Sequence, residues 1–211
     1  MTVSDIMKEL DFTILDICDD YLSKIMSIIF ANINNYNPEE DNWADITEAI
    51  ENSVYECLVE VFITVSKTIS EVYKDAKEFE VKDVFNLCYS VDGKNITDRI
   101  KEYLDKIHND LAQSKAEIDI KSEAISKFDR LLTTEASNVE TAVKKNRKPE
   151  SADIIVIEGG CACGHRCDQY IGIYAADENI DKPPYHPNCT CIWYYDIADN
   201  PNNIKDIELD I

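Results

Sequence analysis

Apolar residues recur at steps of three and four from the start of the chain. Ile6, Leu10, Ile14, Ile17, Tyr21, Ile25 and Ile28 fall on one face of a helix, which the spacing ends near Asn34-Asn35. A second helix is predicted after Pro38, with Glu39, Glu40 and Asp41 suited to its positive N-terminal end. It carries Ile46, Ile50, Val54, Leu58, Val61, Val65, Ile69 and Val72. Between Val54 and Val65 its apolar residues occupy more than one face, the pattern of a helix buried between neighbours or against another subunit. A short helical piece over Val81 to Tyr89 runs into the turn signal Asp92-Gly93.

From Ile96 the period changes. Leu104, Leu111, Ile118, Ile125, Leu132 and Val139 repeat every seven residues, which describes one long helix or two in line. At ~1.5 Å per residue, a single helix over 95–145 would measure about 75 Å. The alternate seam positions, Ile107, Ser114, Lys121 and Phe128, turn polar in the middle, so an interruption between Ser114 and Ser122 competes with a straight helix. Lys148-Pro149 ends the helical part. Beyond it, Asp153 to Ile157, Tyr170 to Tyr174 and Cys191 to Tyr195 read as short strands rich in β-branched and aromatic residues.

The pattern therefore predicts a mainly α-helical chain with a small C-terminal β-rich Cys/His module, an α+β arrangement in which a long helix leads into a zinc-knuckle-like domain. Four segments follow: an acidic helical region over 1–94, the long helix over 95–148, the β-rich module over 149–195 and an acidic tail over 196–211. The 211 residues are 45% hydrophobic, enough for a sizeable core.

Charge narrows the classes of partner. The 42 acidic against 21 basic side chains leave a net charge of -21, and residues 1–60 alone carry 14 Asp/Glu against two Lys. Such a surface repels phosphate backbones, so direct nucleic-acid binding is not expected apart from a weak contact at Lys144, Lys145, Arg147 and Lys148. The other reading of that basic run is a helix C-terminus satisfied by cations. No apolar run approaches the ~18 residues needed to cross a bilayer, and the best stretch, Ile25 to Ile33, is too short. Met1 to Leu10 carries Asp5, Lys8 and Glu9 in place of an apolar signal core. The chain is expected to be soluble and made in a reducing cytoplasm, without a membrane partner, where disulfides do not persist.

That expectation bears on the strongest chemical signal. Cys161, Cys163, His165, Cys167, His186, Cys189 and Cys191 gather in the C-terminal module. Cys163-x3-Cys167 forms one chelating pair, and His186-Pro-Asn-Cys189-Thr-Cys191 supplies a second from about twenty residues downstream. Zinc takes four thiolate or imidazole ligands, and short ligand pairs lower the entropy of assembling them. The candidate ligands are Cys163, Cys167, His186, Cys189 and Cys191, with Cys161 and His165 as additional donors. More than four candidates compete, and disulfides or plain buried thiols remain open readings. His186 either ligates metal or caps its turn. Cys18, Cys57 and Cys88 fall inside helical patterns and read as small core residues.

Catalytic readings use the same residues. Cys163 or Cys167 with His186 could form a thiol nucleophile and its base, near Asn188 and Asp168. A zinc with an open position could use Glu158 or Asp168 as base. The sequence lacks H-E-x-x-H, G-x-S-x-G and a phosphate-binding glycine loop. A closed four-ligand site leaves no position for water, so no enzymatic activity is expected.

The segment Pro183-Pro184-Tyr185-His186-Pro187-Asn188-Cys189-Thr190-Cys191 closely resembles the P-P-x-H-P-N-C-R-C signature that closes the head morphogenesis domain of Mu-F-like phage minor head proteins. Members of that family carry an upstream C-x2-C pair and a short strand, and Cys163, Cys167 and Tyr170 to Tyr174 occupy the corresponding place. Their long helix bears an R-x-T-E-like segment with a polar continuation, similar to Arg130-Leu-Leu-Thr-Thr-Glu135 and Asn138 to Lys145. Thr190 stands where the signature has Arg, and the first pair is x3 instead of x2. The resemblance covers about residues 95–195; residues 1–94 lie outside it.

It implies a virion protein present in few copies inside the head near the portal, made in the bacterial host cytoplasm and assisting head assembly, DNA packaging or ejection. The implied partners are the portal protein or other capsid components, with self-association as a further option. The alternative is a cytoplasmic zinc-binding adaptor or regulatory protein, and below it stands a thiol-dependent or zinc-dependent hydrolase.

Overall fold

The structure, a computed structural model, describes residues 1–36, 43–88, 94–159, 167–183 and 191–197. It is mainly helical with a small antiparallel sheet. Helices α1 (Val3–Asn34), α2 (Trp43–Val72), α3 (Ile96–Ala112) and α4 (Glu117–Asn146) precede strands β1 (Ile154–Glu158), β2 (Gly172–Ala175) and β3 (Ile192–Asp196). The chain gathers into two compact units, each built from stretches distant in sequence. One comprises Met1–Thr13, Thr64–Glu80 and Glu140–Ile211; the other comprises Ile14–Ile63 and Val81–Val139.

The second unit is a helical bundle whose neighbours reverse direction at every step. Lys24 of α1 meets Glu56 of α2 at 2.6 Å, and Trp43 of α2 stacks on His108 of α3 with centroids 5.6 Å apart. Along α3 and α4, Lys106 pairs with Glu123 at 2.7 Å, Tyr103 packs edge-on against Phe128 at 5.8 Å, and Arg99 meets Glu135 at 2.5 Å. Partners that climb on one helix as they descend on the other define an antiparallel hairpin. Lys121 of α4 then returns to Asn34 of α1 at 2.7 Å. The core holds Ile25, Ile50, Leu58, Ile100, Leu104, Phe128 and Leu132, none more than 1% exposed. Burying each such side chain contributes about 1.5–3 kcal/mol.

This hairpin corrects the single long helix over 95–145. The helix breaks at residues 113–116, at the near edge of the interval where the seam turns polar. Ser114 adopts φ 56°, its amide donates to the Leu111 carbonyl at 2.9 Å, and the Lys115 amide donates to the Asp110 carbonyl at 3.1 Å. These two bonds with a left-handed residue between them terminate a helix by satisfying its last carbonyls. The turn also resets the helical phase, so the seven-residue seam is not one buried stripe: Leu104 and Leu132 are buried, whereas Ile118 is 73% and Ile125 42% exposed. Because serine pays for φ > 0 and glycine does not, Ser114→Gly is expected to stabilise the chain by about 1 kcal/mol in urea unfolding. No gain would mean that the side chain compensates the backbone.

The first unit holds the sheet, in the order β2-β1-β3 with β1 antiparallel to both neighbours. Each strand starts one or two residues later than its sequence pattern indicated. Before β2 the chain makes a short 3-10 turn, Asp168–Tyr170, closed by the Tyr170 amide on the Cys167 carbonyl at 2.8 Å, and this removes Tyr170 from the ladder. One face of the sheet presents Ile155, Ile157, Trp193 and Tyr195, which pack with Ala152, Tyr73, Tyr174, Ala176 and Ile180. Tyr73, just after α2, donates its hydroxyl to the Tyr195 carbonyl. Arg147 holds the end of α2: its guanidinium donates to the Ser66 and Lys77 carbonyls at 2.5 and 2.9 Å and to Ser70 Oγ at 2.9 Å. The expected short helix over 81–89 is a 3-10 turn, Val84–Leu87, in the helical unit, while the Asp92-Gly93 turn lies outside the described residues. Among the described residues no helix is long and apolar enough to cross a membrane.

Candidate functional site

The strand registers place the starts of β2 and β3 at one end of the sheet. Glu158, the last residue of β1, is opposite Ile192, the first of β3, and Ile157 is opposite Gly172, the first of β2. Cys191 immediately precedes Ile192, and Cys167 enters the 3-10 turn that leads into β2. Both are buried, at 8% and 1% exposure. The topology thus brings these two predicted donors to the same end of the sheet. Cys161, Cys163, His165, His186 and Cys189 lie outside the described residues. Among the described residues no group of three or more His, Cys, Asp or Glu is placed to hold a metal ion.

Glu158 sits at this end too, and its surroundings bear on the base proposed for it. It accepts from Lys8 at 2.9 Å, Ser4 Oγ at 3.0 Å and the Tyr194 hydroxyl at 2.7 Å. Burial pushes its carboxyl up, but these three donors outweigh burial and hold it below the usual carboxylate range. A carboxylate so fully engaged is a fastener between α1 and the sheet, and a poor proton acceptor.

Behind β3 lies a buried polar cluster that no local motif announces. Lys144, 1% exposed, donates to the Glu140 carboxylate and to the Trp193 carbonyl at 2.9 Å, with its ammonium 5.7 Å from the indole centroid. Thr141 accepts from the Trp193 indole N–H at 3.3 Å and donates to the Pro183 carbonyl at 2.5 Å. One face of the last turns of α4 therefore anchors both the first residue of the Pro-Pro-Tyr-His segment and the strand that follows it. Part of the basic run is likewise engaged internally: Lys144 is buried, Arg147 is spent on α2, and Lys148 gives one hydrogen to the Ala176 carbonyl at 2.9 Å, while Lys145 is exposed. This corrects the surface reading of Lys144, which has no exposed ammonium for a nucleic-acid contact.

Asp11 faces this cluster from α1. Burial pushes its carboxyl up to about 6, Glu140 adds to the rise, and Lys144 opposes it. A carboxyl raised in the folded state binds more protons there than in the unfolded chain between pH ~4 and ~6, so stability falls as pH rises through that window. Asp11→Asn is expected to raise the melting temperature at pH 7.5 and to leave it nearly unchanged at pH 4. Equal gains at both values would show that the charge is not the cause.

The helical unit has its own buried ion pair. Arg99 and Glu135 are 7% and 0% exposed, and Asn138 Nδ2 donates to the second Glu135 oxygen at 3.0 Å. The Arg130-to-Glu135 segment thus ends on a residue that ties α4 to α3. Cys18 and Cys57 are buried at 2% and 0%, and a hydrogen bond between the two thiols, with burial, pushes the Cys18 thiol far up. Cys88 is pushed up by burial and by Glu135. Such thiols are unreactive, in keeping with a packing role.

No protein-family model matches this chain, and neither curated proteins nor solved structures show significant similarity to it.

Proposed function

We propose that the chain is a phage minor head protein: a structural, non-enzymatic component of the virion interior that docks near the portal and assists head assembly, DNA packaging or ejection. One observation carries the reading. The segment that resembles the closing signature of that family, Pro183 to Cys191, is fastened at both ends, by Thr141 at Pro183 and by β3 directly after Cys191. A nine-residue segment held at both ends is what a compact ligand-bearing turn requires.

The donor set suits zinc. Cys167 and Cys191 are soft, buried donors at one sheet end, and Cys163, His186 and Cys189 adjoin them in sequence. Four of these five residues would supply the ligands of a closed structural site, where zinc joins the two connections and supplies folding energy. Docking would use helix faces. Ile118 and Ile125, one heptad apart on α4, expose an apolar strip suited to a helical partner such as a portal or capsid subunit, or a second copy.

Fractionation of particle-producing cells tests the proposal. Recovery of the chain in density-purified, nuclease-treated virions, cross-linked to portal protein through a photoreactive residue at position 125, is the expected result. Recovery only in the particle-free cytoplasmic fraction would overturn it in favour of the cytoplasmic zinc-binding adaptor.

A further inference from the structure

We propose that Lys145, Lys148 and Lys182 form a binding patch for an acidic peptide segment. Lys145 is exposed on the last turn of α4. Lys148 follows that helix, with its ammonium 6.0 Å from the Tyr195 ring centroid, and Lys182 arrives from the β2–β3 connection, 5.6 Å from the Trp193 ring. The two rings touch edge to face with centroids 5.4 Å apart, so neighbouring residues of one strand face carry both cations. Burial, then Lys145, hold the Lys182 ammonium below its ordinary range, with Lys148 adding to the effect and only Asp181 opposing. Lys145 and Lys148 therefore lie within electrostatic reach of Lys182.

Acidic side chains outnumber basic ones 42 to 21, and most other described lysines find carboxylates, Lys74, Lys77 and Lys82 excepted. Along the open groove of α3 and α4, Lys94 pairs with Glu102 at 2.6 Å, Lys106 with Glu123 at 2.7 Å and Lys127 with Glu123 at 3.4 Å. None of Lys145, Lys148 and Lys182 has a carboxylate within ion-pair distance among the described residues. Lys148 and Lys182 each give one hydrogen to a main-chain carbonyl, Ala176 and Ile180, which leaves donors on every ammonium. Two cations on neighbouring aromatic rings, with Lys145 within electrostatic reach of one of them, are relieved by an incoming anion.

Charge density decides which anion. Duplex DNA carries one charge per about 1.7 Å of axis, and would press many phosphates against a chain of net charge -21. An extended peptide rises about 3.3 Å per residue, so carboxylates on alternate residues stand about 7 Å apart and a short segment engages the patch alone. The inference does not rest on the head-protein reading.

The test is fluorescence anisotropy of the full chain with a labelled peptide of alternating Glu and Gly, at low and high salt. Saturable binding that weakens with salt is expected, with a loss of about ten-fold in Lys145→Glu/Lys182→Glu and under about two-fold in the groove control Lys94→Glu/Lys101→Glu. Lys145→Glu alone, at an exposed position, keeps the fold and is expected to lose several-fold. No saturable binding, equal losses in patch and groove variants, or tighter binding of a short DNA duplex than of the peptide would overturn the proposal.

Discussion

Replacing Glu135 with leucine is expected to destabilise the helical unit by about 3–5 kcal/mol, because it strands a buried guanidinium. Arg99 and Glu135 meet at 2.5 Å with side chains 9% and 0% exposed, so water cannot take the place of the lost carboxylate. Asn138 loses its acceptor at the same time. The pair itself is worth far less than the cost of breaking it, since two desolvated charges repay each other only in part. Arg99→Met/Glu135→Leu should therefore recover most of the loss and retain about 1–3 kcal/mol from the orphaned Asn138 amide. Urea unfolding followed by far-ultraviolet circular dichroism reads both variants. A single-variant cost below 1 kcal/mol would mean that the bundle opens to solvent around Arg99.

Lys144→Met carries the second large effect, in the sheet unit. It removes the cation between Glu140 and the Trp193 carbonyl, and leaves Glu140, whose side chain is 10% exposed, close to Asp11 without compensation. The expected loss is again about 3–5 kcal/mol, a fall of about 10 °C in melting temperature for a chain of this size. It should be smaller at pH 5 than at pH 8, since Asp11, whose carboxyl is raised to about 6, can then take up a proton in place of the lost ammonium. Indole fluorescence should shift in the same variant, because Lys144 and Thr141 both bind Trp193. An unchanged spectrum with full stability would show that Lys144 is not the anchor of β3.

Local periodicity made most of the fold legible. The stripe Leu10, Ile14, Ile17 and Ile25 is buried as its spacing requires, α1 stops at Asn34, and α2 buries Ile50, Val54, Leu58, Val61 and Val65. Three strands appear in the expected order. The hairpin between α3 and α4 escaped because a period of seven persists in sequence when the chain reverses, and a single left-handed Ser114 leaves no glycine to mark the turn. The buried ion pairs were hidden for a different reason. Pairing across 36 residues, as between Arg99 and Glu135, has no local signature, although a signal existed: Glu135 adjoins Ala136 and lies one helical turn from Leu131, Leu132 and Val139, inside an apolar stripe. Lys144 was masked by its neighbours, since a run of basic residues reads as a surface until one of them is found under an indole. The cysteines are plain in the sequence; the approach of Cys167 and Cys191 to one sheet end is not, because it depends on the pairing of Glu158 with Ile192 and of Ile157 with Gly172.

The most direct test of the central claim, a structural metal centre at that sheet end, is zinc content per chain on protein purified without chelator. Cys167→Ser and Cys191→Ser, Cys163→Ser and Cys189→Ser, and the buried control Cys57→Ser would be measured alongside. About one zinc per chain, lost in each of the four C-terminal variants together with folding of the β-rich module and kept in Cys57→Ser, is the predicted result. A folded wild-type protein without zinc, its C-terminal thiols reactive or joined in disulfides, would contradict the claim.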